Sequence, residues 1–207
     1  MPPTHATFIN ISDKARYNLM MRIITGKAKG IRLKTLEGDA TRPTSERVKE
    51  AVFSMIQGDV EGREVLDIFA GSGQMGLEAV SRGAIHATMI DSSPLAVKII
   101  SENAEKTHLS SQCTIRRMEY MDFIRRNVGQ KYDIVFLDPP YAAGFYRPAL
   151  KSMLESDMLK TTSLIICESD TDIIFGEDKD LAGKFRIVKQ SRYSRTFITI
   201  LSPEVSL

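Results

Sequence analysis

The sequence predicts an α/β fold, a mostly parallel seven-stranded sheet with helices on both faces and a β-hairpin before it. Three observations carry this. From Gly62 onward, short apolar runs alternate with helical stretches, the pattern of strands buried on both faces and joined by crossover helices. The first run, Val65-Leu66-Asp67-Ile68-Phe69, leads into the glycine-rich segment Ala70-Gly71-Ser72-Gly73-Gln74-Met75-Gly76. The last two runs are joined closely around Arg192-Tyr193-Ser194, too short for a crossover, so that pair should be antiparallel.

Taken in order, residues 1–20 begin with Pro2-Pro3 and lack periodicity, and a disordered extension is expected there. Arg22 to Leu36 reads as a hairpin: Ile23-Ile24 and Ile31/Leu33 supply strand residues, and Gly26 to Gly30 the turn. A helix should start at Thr44 or Ser45, either of which can cap it. Its Val48, Val52, Phe53 and Ile56 fall on one face, and Gly58 is the expected stop. Residues 21–60 thus read as a hairpin-plus-helix appendage and 61–207 as the main domain. Strands are expected at 64–69, 86–91, 113–118, 132–138, 163–168, 185–191 and 196–201. Helices are expected at 75–82, 94–106, 120–127, 145–156 and 178–182.

Composition excludes several classes. The 207 residues are 43% hydrophobic and 26% charged, ordinary for a globular chain. No apolar run approaches the roughly 18 residues of a membrane span, and Met1 to Met20 has no apolar core of a secretory signal. A cytoplasmic protein with no membrane partner is expected. Cys113 and Cys167 lie apart in apolar runs and read as buried, reduced thiols. His5, His86 and His108 have no partners at metal-ligand spacing, so no metal site is expected.

The net charge is only +2, but it is unevenly distributed. Eight basic residues lie between Arg22 and Lys49, opposed only by Glu37, Asp39 and Glu46. A second cluster, Lys184, Arg186, Lys189, Arg192 and Arg195, contains no acid. Such clusters are often solvated faces; two of them in a near-neutral chain point to a polyanionic partner.

The glycine segment follows a strand and opens a helix, which suits a loop cradling a nucleotide-like cofactor. Asp91 lies 20 residues after Gly71 at the end of the next strand, where a carboxylate can accept from both ribose hydroxyls. Asp67 separates two cofactor classes. A carboxylate at the end of the first strand suits a cofactor carrying an ammonium group, directly or through water, and is a poor neighbour for a pyrophosphate. S-adenosylmethionine is therefore favoured over a nicotinamide, with Phe69, Ala70, Gly71, Ser72, Gly73 and Ser92 in the same binding region. The bland alternative is that Asp67 only fixes the loop. Glu119 ends the third strand where an adenine amine would lie, with the Tyr120 backbone beside it; a surface acid at a helix start is the alternative.

The strand before Asp138-Pro139-Pro140-Tyr141 is apolar, and open α/β sheets bind ligands at the carboxyl ends of their strands. Two prolines stiffen the loop and leave carbonyl acceptors. An exocyclic base amine attacks poorly because its lone pair is delocalised. The Asp138 carboxylate and the Pro139 carbonyl can hold its two hydrogens, Pro140 fixes the loop, and Tyr141 can stack on the base. The alternative is a turn in which the prolines merely end a strand.

These segments resemble the class I methyltransferases, and more narrowly the RsmD family of small-subunit ribosomal RNA guanine-N2 methyltransferases. The matching residues are Arg22-Ile23-Ile24-x-Gly26 with Gly30-x-x-Leu33, Arg42-Pro43-Thr44-x-x-Arg47-Val48-x-Glu50, Leu66-Asp67-x-Phe69-Ala70-Gly71-Ser72-Gly73, Gly76-Leu77-Glu78-Ala79, Ser81-Arg82-Gly83-Ala84 and Asp138-Pro139-Pro140-Tyr141. The glycine loop and the Asp-Pro-Pro-Tyr segment recur widely; the Arg-Pro-Thr segment and the hairpin narrow the resemblance. It implies a Rossmann-like sheet and methylation of one guanine in ribosomal RNA, free or within an assembled small-subunit particle. It also implies cofactor contacts at Asp91 and Glu119, base contacts at Asp138 and Tyr141, and Arg42, Thr44 and Arg47 near cofactor or RNA. Lys27, Lys29 and Arg32 of the hairpin are further RNA candidates. The family usually has a Tyr-Gly-Asp-Thr-like turn near its end; here it is Tyr193-Ser194-Arg195-Thr196, and Arg195 suits a phosphate. A monomer is expected. The rivals are an adenine amino-methyltransferase acting on DNA or RNA, and a non-catalytic RNA-binding module.

Overall fold

The computed structural model describes residues 21–36, 44–139 and 144–204. The expected extension, 1–20, lies outside them. Seven strands form one sheet: β1 (Glu64–Asp67), β2 (His86–Asp91), β3 (Cys113–Arg117), β4 (Tyr132–Leu137), β5 (Leu159–Ser169), β6 (Phe185–Tyr193) and β7 (Thr196–Pro203). Their order is β3-β2-β1-β4-β5-β7-β6. β1 to β5 are parallel, and β7 is antiparallel to both neighbours. The winding reverses between β1 and β4, and at such a switch point a crevice opens at the carboxyl edge.

The helices are α1 (Thr44–Met55), α2 (Gln74–Ser81), α3 (Pro94–Lys106), α4 (Tyr120–Arg126), α5 (Tyr146–Glu155) and α6 (Lys179–Ala182). On one face Val52, Phe53, Leu77, Val80 and Ile100 of α1 to α3 pack on Ile134, Phe136, Ile198 and Ile200. On the other, Phe123, Ile124, Leu150 and Met153 of α4 and α5 pack on Leu66, Val135, Leu137 and Ile165. Both faces are covered, which is why the central strands read as unbroken apolar runs. α3 starts as its sequence dictates: the Ser93 hydroxyl accepts from the Ala96 N–H and Pro94 occupies the first turn.

The hairpin is shorter than expected. Arg22 and Arg32 form a single antiparallel bridge, flanked by Ile23 N–H to Ile31 C=O at 3.0 Å and Leu33 N–H to Met21 C=O at 2.8 Å. Its turn sits directly on the end of α2. Gly26, at φ 86°, has no room for a Cβ, which would lie 1.8 Å from the Ser81 carbonyl oxygen. Lys27 N–H donates to that carbonyl, and Ala28 N–H to the Ser81 hydroxyl. Met21, Ile23, Ala28 and Leu33 belong to the same apolar cluster as α1, α2 and the sheet. The described parts of segment 21–60, expected as an appendage, thus pack into the main core.

Other boundaries shift for local reasons. β1 ends at Asp67 rather than Phe69 because Ala70 N–H crosses to the Ile90 carbonyl, starting the loop. β5 begins at Leu159 rather than Ser163, since Leu159 already pairs with Tyr132 before a register shift. α1 ends at Met55, and Gly58 lies inside the 3-10 turn Gln57–Asp59 instead of stopping the helix. Cys167 is buried and Cys113 half-buried; both are free thiols. Burial pushes the Cys113 thiol up to about 11, so it is not a thiolate near neutrality. Among the described residues, no cluster of three His, Cys, Asp or Glu could hold a metal ion.

Candidate active site

The carboxyl ends of β1, β2 and β4 bring the sequence candidates to one edge. Asp67, the last residue of β1, is buried and accepts from the Gly76 N–H at 3.3 Å. Burial pushes its carboxyl up to about 7; the Gly76 bond opposes this and the charge of Asp91 adds to it. Phe69 to Gly73 form the loop above it. Gly73, at φ 77°, caps α2 with a left-handed conformation, and a Cβ there would lie 3.0 Å from Ile100. Ala70 and Ser72 are buried, with Phe69 and Gly71 half-buried.

Asp91 ends β2. One oxygen accepts from the Gly71 N–H at 2.9 Å, the other from the Ser93 N–H at 2.8 Å. Both oxygens are thus fixed, and each keeps lone pairs for a ligand hydroxyl. Ser92 between them is exposed. Glu119 precedes α4 and is exposed, and its side chain makes no capping bond. Tyr120 follows it, half-buried.

Three aromatic rings close over this edge. Phe69 and Tyr120 stand 5.2 Å apart between centroids, and Phe145 lies 5.8 Å from the first and 5.7 Å from the second. The sequence reading named Phe69 and Tyr120 but missed Phe145, which no local pattern separates from other pre-helical apolar residues.

Asp138 directly follows β4 and is exposed, while Pro139 is buried. Pro140 and Tyr141 lie outside the described residues. Below Asp138, the buried Tyr146 donates its hydroxyl to the Glu168 carbonyl. Burial, then the nearby Cys167 and Asp138 groups, push this phenol far above its usual range, so it stays neutral.

A second missed residue is Asn103 of α3, fully buried. Its Oδ1 accepts from the Lys34 N–H at 2.8 Å, and its Nδ2 donates to the Lys34 carbonyl and to the Ser72 carbonyl, both at 2.9 Å. One amide thus ties the glycine loop to the chain leaving the hairpin. The available signal was a polar residue on the helix's buried face, beside Ile99, Ile100 and Ala104.

The cationic candidates divide. Arg195 occupies the β6–β7 turn, and the adjacent Phe197 pairs with Ser169 at the end of β5, so this turn stands at the carboxyl edge. Arg47 is exposed early in α1. Arg42 and the Thr44 side chain lie outside the described residues. Lys27 and Lys29 lie at the opposite edge: the Lys27 ammonium bonds Gln112, just before β3 begins. Arg32, on the returning arm of the hairpin, is exposed. The structure therefore does not bring the hairpin turn to the site.

A sheet of this order, with a glycine loop after β1, an acid ending β2 and Asp-Pro after β4, is the Rossmann-like fold of the class I methyltransferases. A family profile described as Conserved hypothetical protein 95 matches residues 21–202, and the chain belongs to that family, the RsmD-like methyltransferases. A Haemophilus influenzae relative named ribosomal RNA small subunit methyltransferase D is 34% identical over 73% of this chain and 80% of its own length. The Escherichia coli protein of the same name is 31% identical over 73% and 76%. The solved Escherichia coli structure yhhF, described as a proposed methyltransferase, superposes with a TM-score of 0.79 at 26% identity, covering 90% of this chain and 99% of its own.

Proposed function

We propose that this enzyme transfers a methyl group from S-adenosylmethionine to the exocyclic N2 of a guanine in small-subunit ribosomal RNA. The observation that carries the reading is the exposed Asp138 followed by Pro139 at the end of β4, next in the sheet to the β1 glycine loop. The names of the Haemophilus and Escherichia relatives support the ribosomal substrate.

The residues present fit the cofactor. Asp91, held by two backbone amides, suits the ribose hydroxyls. Asp67 beneath the loop suits the ammonium group, and the exposed Glu119 with the Tyr120 backbone suits the adenine edge. Gly71, Ser72 and Gly73 with Phe69, Ala70 and Ser92 line the same edge. When bound, S-adenosylmethionine supplies a methyl group already activated on a sulfonium, so no covalent enzyme intermediate is required.

The chain's own residues then position the nucleophile. The Asp138 carboxylate and the Pro139 carbonyl accept the two N2 hydrogens and favour a pyramidal nitrogen. With the cofactor held at this edge, N2 would accept the methyl group, and the proton it gives up would pass through the Asp138 carboxylate to solvent. Pro140 and Tyr141, outside the described residues, are assigned to the base; stacking of an aromatic ring on an extruded base contributes about 1–3 kcal/mol. Arg42, Thr44, Arg47 and Arg195 are assigned to the RNA. Lys27, Lys29 and Arg32 meet it only where it extends beyond the carboxyl edge. The reading carries with it a monomeric, cytoplasmic enzyme; no described helix is long and apolar enough to cross a membrane.

The test is labelled methyl transfer to ribosomal RNA, free and assembled, followed by nucleoside analysis. N2-methylguanine is expected, and methyladenine overturns the base assignment. Asp138→Ala should abolish transfer while leaving cofactor affinity within a few-fold; equal loss of both makes Asp138 a structural residue.

A further inference from the structure

Sequence alone offers two basic clusters, and the structure treats them differently. In the first, Arg22 pairs with Glu46, Lys34 with Glu102 and Lys49 with Glu78, while Lys27 is bonded to Gln112. Those four cations have partners within the chain, whereas Lys29, Arg32 and Arg47 of the same region are exposed and scattered over the hairpin and α1. In the second, Arg186, Lys189 and Arg195 are exposed and form no ion pair among the described residues. They lie on β6, the last strand of the sheet, and on its turn.

The register says which way these side chains point. Directly paired residues of an antiparallel ladder share a face. Lys189 pairs with Ile200, which packs in the cluster containing α1. Arg186 pairs with Ser202, one residue beyond Leu201 of the opposite cluster, so it shares the α1 face with Lys189. The shift between Ile187 and Lys189 brings these two cations to one side. The other face differs. Gln190 bonds the Asp172 carbonyl there, and Phe175 stacks on Phe185, which brings in a loop carrying Asp170, Asp172 and Glu177. Arg192, on that face, is held over the Phe197 ring with its Nε–H donated to the Ser194 carbonyl.

We propose that the α1-side face of β6 at Arg186 and Lys189, continued by Arg195 in the β6–β7 turn, is a track for the phosphate backbone of RNA flanking the target nucleotide. This rests on the reading of the substrate as RNA. At roughly 3.3 Å per residue, Arg186 to the turn spans about 25 Å, enough for several successive phosphates. The track ends at the carboxyl edge that holds Asp138. It carries no sequence information; it orients the RNA so that the base enters at Asp138. The face bearing the acidic loop repels the same backbone, which fixes the side of approach.

The test uses the full chain with a labelled RNA stem-loop in a salt titration, and methyl transfer to ribosomal RNA in parallel. Arg186→Glu/Lys189→Glu should weaken RNA binding at least about tenfold at low salt. It should lower the slope of log affinity against log salt by about 1 for each lost phosphate contact. KM for RNA should rise while cofactor affinity is unchanged. Lys98→Glu/Lys106→Glu, with the same charge change on α3, should shift binding far less. If both double variants weaken binding equally, net charge and not this face is responsible, and the track is refuted. Unchanged affinity and slope in the β6 variant also refute it. So does a loss seen only with assembled particles, since the contact is then to protein. Wild-type protein that methylates no RNA overturns the functional reading itself, a separate outcome.

Discussion

Glu78→Gln tests how the N-terminal segment is held. Glu78 is fully buried in α2 and accepts four contacts: the Ile24 N–H at 2.7 Å, the Thr25 N–H at 3.0 Å, Arg82 Nε at 2.7 Å and Lys49 Nζ at 3.6 Å. Lys49 is also buried, with Nζ donating to the Arg22 carbonyl at 2.6 Å. Arg82 lies 4.6 Å over the Phe53 ring. One carboxylate thus joins the hairpin, α1 and α2. Neutralising it leaves Lys49 buried beside Arg82 without its anion, and one hairpin amide facing an NH2 that cannot accept. Removing one partner of a buried ion pair costs about 3–5 kcal/mol. For a chain of this size, that lowers the melting temperature by roughly 6–20 °C.

The assay is urea denaturation of wild type, Glu78→Gln, Lys49→Met and the double variant at pH 7. Once the anion is gone, removing the cation should relieve part of the cost. The double variant should therefore lose about 1–3 kcal/mol less than the sum of the single losses. Losses that add within about 0.5 kcal/mol show that the two charges do not interact, and refute the argument. The pH dependence gives an independent check. Burial holds the Lys49 ammonium below its usual range, with Glu78 opposing that shift. Without Glu78 it should fall further. The unfolded chain then binds more protons than the folded one, so the penalty should shrink as pH rises from 7 toward 10.

Asp67 gives a second pH test. Its carboxyl is raised to about 7 by burial, so the folded state holds its proton more tightly than the unfolded chain. Its contribution to stability is present below about pH 4 and lost as pH rises through about 7. Asp67→Asn should remove that dependence; parallel stability curves between pH 5 and 8 would show that Asp67 does not titrate this way. Ser194 holds a φ of 58° in the β6–β7 turn, a conformation that favours glycine. Ser194→Gly should stabilise the protein by about 0.5–1 kcal/mol, read by thermal denaturation, and destabilisation contradicts the strain argument. Asn103→Leu leaves the Lys34 amide and two carbonyls without partners, at about 1–3 kcal/mol each. Hydrogen exchange at Lys34 should accelerate and cofactor affinity fall, whereas a change in global stability alone makes Asn103 a packing residue.

The sheet was legible because its strands are buried on both faces, and an unbroken apolar run such as Tyr132–Leu137 cannot be hidden by local context. The placement of the glycine loop, Asp91 and Asp138 at the carboxyl edge was legible because each ends or follows an apolar strand and the turn chemistry is local. What pattern reading could not reach is polar and buried. Lys49, Glu78 and Asn103 all sit inside, each satisfied by a group from a segment at least 27 residues away. Their helical positions fall on buried faces, but residue type points to solvent, and only the partner, known after folding, decides between the two. The early start of β5 has a similar cause. Lys160 reaches Asp133 at 2.7 Å, and the Ser163 hydroxyl donates to the Tyr132 carbonyl, so side-chain bonds extend pairing through a polar stretch with no strand pattern.

Charge posed the harder problem. The sequence offered Lys27, Lys29 and Arg32 of the hairpin as RNA candidates, but counting cannot separate a cation that answers a carboxylate of the fold from one that faces water. Lys49 illustrates the difference: it contributed to the apparent basic surface, yet it is 1% exposed and serves the core. Arg186 and Lys189 belong to the second cluster, and the edge position of β6 leaves them to solvent. A polyanion responds to the field at its own surface, and that field falls off within about 10 Å in physiological salt. A cation neutralised inside the fold adds almost nothing there. It follows that the surface RNA uses is set by sheet topology, through which strand is last and which face its register turns outward, more than by the density of Lys and Arg along the chain.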